Sequence, residues 1–526
     1  MRFTSAFGLA ASLLLAGLAL PGSPASAQEN IAFGAKPTHV PRGQGSGGSG
    51  GSRGFGGAGI GIGFGFMPPP VVFRPPPPVL HTAPPPVRVY RPERVSRPRP
   101  VHIAPAARHK PAVRKARAQP QARPQRAAPR QPVRGPSRVS GIPPVGENRF
   151  MEDEVVVRYR AGTGEGAIRD IAGWVRLEEI DRREFDLAAT SVYRYRILGG
   201  RSVRQAIAAL EVDPRVAFVQ PNYLYSLQEM QLQALPAARP KDDMSAMQYA
   251  LHKLRLDEAH GLARGRQVRV AVIDSPVDAA HPELNGAIVE SFSALEAEGD
   301  TADAHGTGIA GVIAARGTLR GAAPDSQIVA VAAFREDEAG RTRGSSFDIA
   351  RGLDFAHETG ARLVNMSFAG PADPLLADMV KAALARKMIL VAAAGNAGAA
   401  SPPLYPAAYE GVIAVTATGA DDSAFRQANA GAHIALAAPG VDILAPAPEA
   451  SYQVASGTSL AAAHVSGLIA LMLERQPQMS GEEAVAALAS AAVDLGEPGR
   501  DERFGSGLPQ ADRALAAMPR RLAAGR

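Results

Sequence analysis

The sequence predicts an α/β fold with a doubly wound, mostly parallel sheet, preceded by a small α+β domain and a segment rich in Gly, Pro and Arg. Three observations lead to this prediction. Continuous apolar strands alternate with helical stretches from residue 248 onward, short half-buried strands occupy residues 149–228, and low-complexity sequence fills residues 28–148. Continuous apolar strands joined by helices are typical of a parallel sheet that is covered on both faces.

The amino terminus has the features of a secretory signal peptide. Arg2 precedes an apolar run from Phe7 to Leu20, and Ala25-Ser26-Ala27 fits a signal peptidase site. The alternative is a membrane anchor, but a span needs about 20 apolar residues and this run is shorter. We therefore expect residues 1–27 to be removed and the protein to be exported, either to the periplasm or to the medium or cell surface. Because the chain has no cysteine, disulfides and a lipid-anchored cysteine are excluded.

Residues 28–148 are predicted to form a disordered tether. Residues 43–66 are Gly-rich, and residues 68–145 are rich in Pro, Arg and Ala, a composition that favours flexible and polyproline II chain. The net charge of +7 arises here, because Arg74 to Arg138 contains sixteen Lys and Arg against one acid. Two roles remain open, a solvated spacer and a segment that binds an anionic envelope polymer. No aromatic ladder accompanies the arginines, so no nucleic acid is expected as a partner.

Residues 149–228 are predicted to fold as a small α+β domain. Its predicted elements are strands at Glu154–Arg160 and Ser191–Ile197, a helix at Ser202–Leu210, and a short strand at Val216–Val219 closed by Pro221-Asn222. A polar linker at 229–247 then leads to the α/β domain at 248–518, and residues 519–526 form a basic tail.

The α/β domain is predicted from five apolar strands. They are Val268–Asp274, Gln327–Phe334, Arg362–Phe368, Met388–Ala394 and Val412–Thr418, with helices at Phe347–Glu358 and Leu375–Arg386. In sheets of this kind, functional sites gather at the carboxyl ends of the strands. We therefore expect chemistry-bearing side chains at that edge.

Three residues in this domain are candidates for nucleophilic catalysis. Asp274 ends an apolar strand, His305 opens the buried helical segment HGTGIAGVIAA, and Ser459 begins the apolar helix SGTSLAAAHVSGLIALML. Each has a structural alternative, since Asp274 can cap a turn, His305 can be a core histidine and Ser459 can cap its helix. Taken together they supply a nucleophile, a base and a carboxylate that orients the base.

Four separated motifs in register resemble the subtilisin-like family of serine proteases. The block VAVIDSPVDAAHPEL resembles the family's aspartate motif, HGTGIAGVIAA its histidine motif and SGTSLAAAHVSG its serine motif. The block VAAAGNAG resembles the segment that carries the oxyanion-hole asparagine. The order Asp, His, Ser is that of subtilisin. The resemblance spans most of 248–515 and implies a subtilisin-like catalytic domain.

The resemblance implies a role for each matched residue. Asp274, His305 and Ser459 would be the triad, and the side chain of Asn396 would hold the oxyanion, although it can also merely shape a Gly-Asn turn. Substrate would lie against two segments, Ser367-Phe368-Ala369-Gly370 and Ala393-Ala394-Gly395. Neither segment contributes a carboxylate, so we expect the substrate residue before the cleaved bond to have an apolar or neutral side chain.

Residues 149–228 resemble the inhibitory propeptide of the same family, down to VDPRVAFVQPNYLY. The protein would then be a zymogen whose propeptide lays its carboxyl end through the cleft and whose self-cleavage site lies between Leu227 and Met247. Polypeptide substrates and this propeptide are the expected partners. No cofactor and no specific metal ligands are expected, since the stretch Ala315–Pro324 lacks the Asn-rich loop that many relatives use for calcium.

Several positions depart from the family pattern and keep rival functions open. They are Pro276 in place of Gly, Gly308 in place of a second histidine, Leu460 in place of Met and Ala463 in place of Pro. None removes a reacting atom. The rivals are a catalytically silent peptide-binding protein of the same fold and an envelope-binding structural protein that acts through the basic tether.

Overall fold

The computed structural model describes residues 140–227, 231–235, 244, 247–295 and 301–518. The predicted signal peptide, most of the predicted tether and the basic tail lie outside the described residues. Of the predicted linker, only 231–235, 244 and 247 are described. Within the described part, no helix combines the length and apolar character needed to cross a membrane.

The small domain is an antiparallel sheet with two helices on one face. Its elements are β1 (Phe150–Tyr159), α1 (Glu165–Val175), β2 (Leu177–Phe185), β3 (Thr190–Ile197), α2 (Val203–Glu211) and β4 (Val216–Leu227). The strands are ordered β2-β3-β1-β4. Because successive side chains of a strand point to opposite faces, Val155 and Val157 pack against the helices while Val156 joins the core shared with the larger domain. The chain's single tryptophan, Trp174, lies on α1 and is 62% exposed.

Strand β4 is longer than predicted. The sequence predicted an end at Pro221-Asn222, but the strand continues through Pro221 to Leu227. Pro221 pairs with Val155 next to a register irregularity, and pairing along the other edge of β4 begins only at Leu224. A proline is tolerated there because that edge needs no N–H donor at its position. The predicted strand end was therefore wrong.

Two elements of the small domain, α1 and β2, were not predicted. Strand β2 has the sequence LEEIDRREF, in which charged residues hide any alternation of apolar and polar positions. It is stabilised instead by pairing with β3, where Arg196 lies 3.6 Å from Glu178. Residues 140–147 also contact this domain, since the Ser140 hydroxyl and the Gly141 N–H donate to Glu211 of α2.

The larger domain contains the remaining elements. In chain order they are β5 (Gln231–Leu235), α3 (Tyr249–Lys253), α4 (Leu256–Ala259), β6 (Arg269–Asp274), β7 (Ile288–Ser293), α5 (Ala304–Ala314), β8 (Gln327–Ala332), β9 (Arg335–Glu336), β10 (Thr342–Ser345), α6 (Ser346–Glu358), β11 (Leu363–Met366), β12 (Phe368–Ala369), α7 (Pro374–Ala385), β13 (Ile389–Ala393), β14 (Ile413–Thr418), β15 (Ile434–Pro439), β16 (Ile443–Ala447), β17 (Ser451–Ser456), α8 (Thr458–Arg475), α9 (Gly481–Ser490), β18 (Ala492–Val493), β19 (Leu508–Pro509) and α10 (Ala511–Ala517).

The predicted parallel sheet is confirmed. Seven parallel strands lie in the order β15-β14-β13-β11-β6-β8-β7, and the five predicted strands correspond to β6, β8, β11, β13 and β14. The predicted strand Arg362–Phe368 is divided into β11 and β12. Strands β7, β15, β16 and β17 were not predicted from the sequence.

Both faces of the sheet are covered, as a doubly wound fold requires. Along β6, Val270 and Val272 pack into a core that includes α5 and α8, whereas Ala271 and Ile273 pack into a core that includes α6 and α7. Strand β6 ends at Asp274 and β13 ends at Ala393. The carboxyl ends of these strands therefore carry the candidate residues to one edge of the sheet.

Candidate active site

Asp274 and His305 are joined at the end of β6. Asp274 is fully buried, and its Oδ1 lies 2.6 Å from Nδ1 of His305. The same Oδ1 also accepts from the backbone N–H of Ser275 at 2.8 Å. This pair holds the imidazole ring in one orientation, since its Nδ1 faces a buried carboxylate.

The start of α5 is fastened to the turn after β6. Asp303 caps this helix by accepting the N–H of His305 at 2.8 Å, and it also accepts the hydroxyl of Ser275 at 2.7 Å. Gly306 is needed here, because a Cβ at that position would lie 2.2 Å from the carbonyl oxygen of Ser275. Pro276, one of the departures from the family pattern, accepts the N–H of Asp303 at 2.8 Å and so belongs to the same junction.

Ser459 completes the arrangement from the first turn of α8. Its hydroxyl oxygen lies 3.3 Å from Nε2 of His305 and 3.2 Å from the carbonyl oxygen of Ser367, so its one proton has two acceptors within reach. Ser459 is fully buried, and His305 is 7% exposed. The side chains predicted as nucleophile, base and orienting carboxylate thus lie in one hydrogen-bonded line.

The electrostatics of His305 favour its protonated form. Burial alone would lower its pKa, but the negative charge and hydrogen bond of Asp274, together with the charge of Asp303, raise the pKa above its ordinary value. An imidazole that accepts a proton readily is what a general base for a serine hydroxyl needs.

Asn396 is tied to the residue before Ser459. Its side-chain oxygen accepts the backbone N–H of Thr458 at 3.1 Å and the hydroxyl of Thr458 at 2.9 Å. Thr458 also accepts the N–H of Gly395 at 3.2 Å. Thr458 was not singled out from the sequence, yet it links the Gly-Asn turn to the helix that carries Ser459.

Both predicted substrate segments reach Ser459. Ser367 is in contact with it directly, since its hydroxyl donates to the Ser459 carbonyl at 3.3 Å, and Gly395 is connected through Thr458. Phe368, Ala369 and Gly370 continue from Ser367, while Ala393 and Ala394 lead into Gly395 and are fully buried. All eleven candidate residues therefore belong to one continuous region.

Strand β12 pairs with the carboxyl end of the small domain. Ser226 pairs with Ala369 and Leu227 with Phe368 in an antiparallel ladder. On its other edge β4 pairs with β10, where Ser226 lies opposite Arg343. The end of the small domain therefore forms the middle strand of a three-stranded ladder beside Ser459.

Tyr225 of β4 fills a pocket that sequence reasoning missed. It is fully buried, meets the ring of Phe368 edge-on at 5.8 Å, and donates its hydroxyl to the carbonyl of Pro371 at 3.0 Å. Gly370 makes room for the ring, because a Cβ there would lie 2.4 Å from it. An alternation of tyrosines in YLYSL was the available signal.

Gly308 stands where the family commonly has a second histidine, and a neighbouring strand fills that space. A Cβ on Gly308 would lie 2.9 Å from the side-chain nitrogen of Gln453 on β17. That amide donates to the carbonyl of Ala304 at 2.7 Å, directly before His305. Gln453 thus connects β17 to the helix that carries the candidate base.

The short stretch Ala315–Pro324 is held by a buried carboxylate. Glu283 is 1% exposed and accepts the backbone N–H groups of Gly317, Thr318 and Leu319 at 2.9 to 3.0 Å. It also accepts the hydroxyl of Tyr452 at 2.8 Å. Among the described residues, no cluster of three or more His, Asp or Glu is arranged to hold a metal ion.

The other two departures lie inside α8 and are absorbed by its packing. Leu460 and Ala463 are fully buried in the core of the larger domain. The next residue, His464, donates its Nδ1–H to the carbonyl of Pro439 at 2.9 Å, and burial lowers its pKa to about 4. This histidine is therefore neutral at ordinary pH.

The line of carboxylate, imidazole and hydroxyl lies on a doubly wound α/β fold, and comparison with known proteins specifies the family. Residues 265–507 match the model of the subtilase family. The thermophilic serine proteinase of Bacillus sp. (strain AK1) is 31% identical over 339 residues, which cover 61% of this chain and 78% of that protein. The chain belongs to the subtilase family.

Two further comparisons extend this result to the small domain. Residues 136–222 match the model of the fervidolysin N-terminal prodomain. The crystal structure of fervidolysin from Fervidobacterium pennivorans, described as a keratinolytic enzyme related to subtilisin, aligns with a TM-score of 0.60 at 23% identity, covering 70% of this chain and 61% of that chain. The subtilisin-like fold and the presence of a prodomain are thereby confirmed.

The match to one longer relative is partial. The minor extracellular protease Epr of Bacillus subtilis (strain 168) is 29% identical over 368 residues, covering 68% of this chain. The chain spans about half the length of that relative, namely 54%.

Proposed function

We propose that this chain is an exported serine endopeptidase that matures by cutting itself and that uses Asp274, His305 and Ser459 as its triad. The observation that carries the proposal is the line from the Asp274 carboxylate through the His305 ring to the Ser459 hydroxyl, with steps of 2.6 and 3.3 Å. Export is supported by the signal-like residues 1–27 and by an extracellular relative.

The proposed reaction proceeds through an acyl-enzyme. Oγ of Ser459 forms a bond to the scissile carbonyl carbon while Nε2 of His305 takes the hydroxyl proton. The imidazolium, stabilised by Asp274, then gives that proton to the amine as the C–N bond breaks. Water, deprotonated by the same ring, hydrolyses the ester and restores Ser459. The amide of Asn396 and the backbone N–H of Ser459 would stabilise the oxyanion.

Self-processing is supported by the path of the chain on either side of the active site. Leu227 is the last residue paired with β12, and Gln231 is the first paired with β17. Ser459 lies three residues after the end of β17. It is hydrogen-bonded to Ser367, the residue before β12. We therefore expect the first cut between Leu227 and Gln231, within the broader stretch predicted from the sequence.

The proposed substrates are extended polypeptides with apolar or neutral residues before the cut. Strand β12 and the segment Ala393-Ala394-Gly395 would bind them, and the pocket filled by Tyr225 would accept a large side chain further along. The prodomain would act as an intramolecular inhibitor, because β4 pairs with β10 and β12 at the position where a substrate strand would bind. The anionic envelope polymer proposed as a partner of the tether is a separate prediction.

Expression of the full-length chain tests the proposal. Wild type should shorten to a mature form whose amino terminus lies within 228–231, and it should clear casein. Ser459→Ala should remain full length, with turnover reduced on the order of 10⁶-fold, the loss seen when the nucleophile of a subtilisin is removed. Ser466→Ala is the matched control, since Ser466 is also buried on α8 but bonds Asn365.

The outcomes separate the proposal from its rivals. A control variant that processes while Ser459→Ala does not supports the triad. A wild-type chain that stays full length and clears no casein would instead favour a silent peptide-binding protein. A precursor lacking residues 43–145 that still processes itself and clears casein would argue against a structural protein that acts through the tether.

A further inference from the structure

Strand β4 has a free edge over its first half. One side of the strand pairs with β1, whereas on the other side pairing with β10 begins only at Leu224. The N–H of Tyr223 donates to the hydroxyl of Ser346 at 2.9 Å, so the backbone of Tyr223 faces away from β1. Alternate residues of an antiparallel strand direct their backbone groups to the same edge, so those of Val219 also face away from β1. An edge of this kind can pair with a further extended segment.

The chain that enters the prodomain lies against this edge. A Cβ on Gly141 would lie 1.6 Å from the carbonyl oxygen of Val219, so glycine alone permits this approach. The hydroxyl of Ser140 and the N–H of Gly141 donate to Glu211, at 2.8 and 2.6 Å. Residues 140–147, here called the arm, belong to the predicted tether but are therefore fastened to α2 and β4.

The arm runs in the same direction as β4. It passes Val219 at Gly141, and further along the chain the carbonyl of Arg149 accepts the N–H of Leu224 at 2.9 Å. The order of the contacts along the arm is thus the order of their partners along β4. The residues that precede the arm accordingly approach the earlier part of β4, at Val216–Phe218.

A cleft of about 410 Å³ lies at that part of β4. On the prodomain side it is lined by Ser140 and by Val216–Val219, and on the other side by Pro374 and Asp378 of α7. Ser140 is also the first residue of the arm. The chain that leads to the arm therefore reaches a cleft between the prodomain and the larger domain.

The charges of the cleft suit the segment that precedes the arm. Two carboxylates, those of Glu211 and Asp378, and one guanidinium, that of Arg158, line the cleft. Residues 134–139, with the sequence RGPSRV, contain two arginines and no acid. Opposite charges attract more strongly in a partly desolvated cleft than in water. The proline and valine of the segment also suit the apolar surface that Phe218 contributes.

We propose that residues 134–139 dock in this cleft as a strap that contacts β4 and α7 at once. The strap holds the prodomain on the larger domain, so the end of the tether is part of the intramolecular inhibitor and not only a spacer. This inference goes beyond the proposed function and does not depend on catalysis, because docking requires no bond to be cut.

Disulfide trapping tests the docking directly, since the chain has no cysteine of its own. Full-length Ser459→Ala carries Asp378→Cys together with one cysteine placed in turn at each of residues 134–139. Successive side chains of a docked strand point to opposite sides, so we expect oxidation rates at neighbouring positions to differ by roughly tenfold. Mass spectrometry of the monomer band from a non-reducing gel identifies the joined positions.

Two results of the trapping would overturn the proposal. An undocked chain would give rates that fall smoothly with distance from Ser140, without alternation between neighbours. Disulfides found in dimers and not in monomers would assign the cleft to the segment of a second copy.

Amide exchange tests whether the strap holds the prodomain. In full-length Ser459→Ala, the N–H groups of Phe347 and Leu375 donate to the prodomain and report its opening. Replacement of residues 134–139 by Gly and Ser should increase that opening roughly tenfold, which corresponds to the loss of one or two hydrogen bonds. The same replacement at residues 95–100, which also contain two arginines, is the matched control. Equal opening in the two replaced chains, whether raised or not, would overturn the proposal.

Discussion

The proposed catalytic centre and the contact between the two domains are both buried and polar, but their buried carboxylates have different partners. Asp274 is buried beside an imidazole whose pKa it raises. Asp373, at the domain contact, receives only neutral donors, from Gln220 at 2.8 Å and from the hydroxyl of Ser346, and burial raises its pKa. The buried carboxylate at the proposed active site thus has a basic partner, whereas Asp373 at the domain contact has uncharged donors.

Two helix ends of the larger domain contribute backbone donors to the domain contact. The N–H of Phe347 on α6 donates to Asn222 at 3.2 Å, and that of Leu375 on α7 donates to Gln220 at 2.8 Å. Free N–H groups of a first helical turn can be satisfied by water as well as by a side chain. In the proposed maturation, water can therefore replace the prodomain as the partner of these groups.

The largest effect on this comparison is expected from neutralising the proposed catalytic carboxylate. Asp274→Asn keeps the shape of the site but removes the charge, and we expect kcat to fall on the order of 10⁴-fold. Activity requires neutral His305, so wild-type activity is lost as pH falls through its raised pKa. The acid limb should move to lower pH in the variant, because the Asp274 charge no longer raises that pKa. A pH profile of kcat/KM checks this, and an unmoved limb would contradict it.

A smaller loss is expected at the candidate oxyanion donor. Asn396→Ala removes a group that acts mainly on developing charge, so kcat should fall on the order of 10²–10³-fold with KM nearly unchanged. Steady-state kinetics on a peptide p-nitroanilide measures both constants. Asn429→Ala is an informative comparison, since Asn429 braces the same turn by accepting the N–H of Ala397 at 2.8 Å. If KM rose instead of kcat falling, Asn396 would be a substrate-binding residue.

The domain contact is expected to loosen as pH rises. Burial raises the pKa values of Asp373 and Asp354, so the closed contact binds protons that the open one releases, and its stability is lost as pH rises through those raised values. In full-length Ser459→Ala, amide exchange of Phe347 and Leu375, corrected for intrinsic rates, should report roughly tenfold more opening at neutral than at acid pH. Asp373→Asn should flatten this dependence.

A matched control is offered by Asp378, which is exposed and lies 2.9 Å from Arg158 of the prodomain. That ion pair is partly exposed to solvent and contributes little to the contact. Asp378→Asn should therefore leave the loosening with pH in place. A contact that tightens with rising pH in this variant would contradict the role assigned to Asp373.

The smallest effect is expected at Glu283, which lies in neither the proposed catalytic centre nor the domain contact. A change there should affect stability alone. Glu283→Gln replaces a carboxylate that accepts three backbone N–H groups with an amide. This should lower the free energy of unfolding by about 1–3 kcal/mol. Glu290→Gln, whose partner Arg269 is partly exposed, should change it by less than about 0.5 kcal/mol. We also expect EDTA to leave the unfolding midpoint unchanged, because Glu283 holds this loop. Chemical denaturation and thermal scans measure these values.

The sequence sufficed for the parts of the molecule whose determinants are local. Strand β6 was predicted because an apolar run leads directly into Asp274, and the motifs around His305 and Ser459 are contiguous. The hydrogen-bond partners of Glu283 and Gln453 could not be predicted from the sequence, because these contacts join segments far apart in the chain and follow no periodic pattern. Strand β2 was not predicted because charged pairs with β3, rather than an apolar face, stabilise it.

The place of Trp174 has a practical consequence for following activation. The chain has one tryptophan, and it is largely exposed on α1 of the prodomain. Indole emission therefore originates entirely in the piece that the proposed maturation would remove. As the prodomain is digested, that emission should shift to the wavelength of free peptide and leave the mature enzyme without indole emission, so a fluorimeter can time activation with no added label.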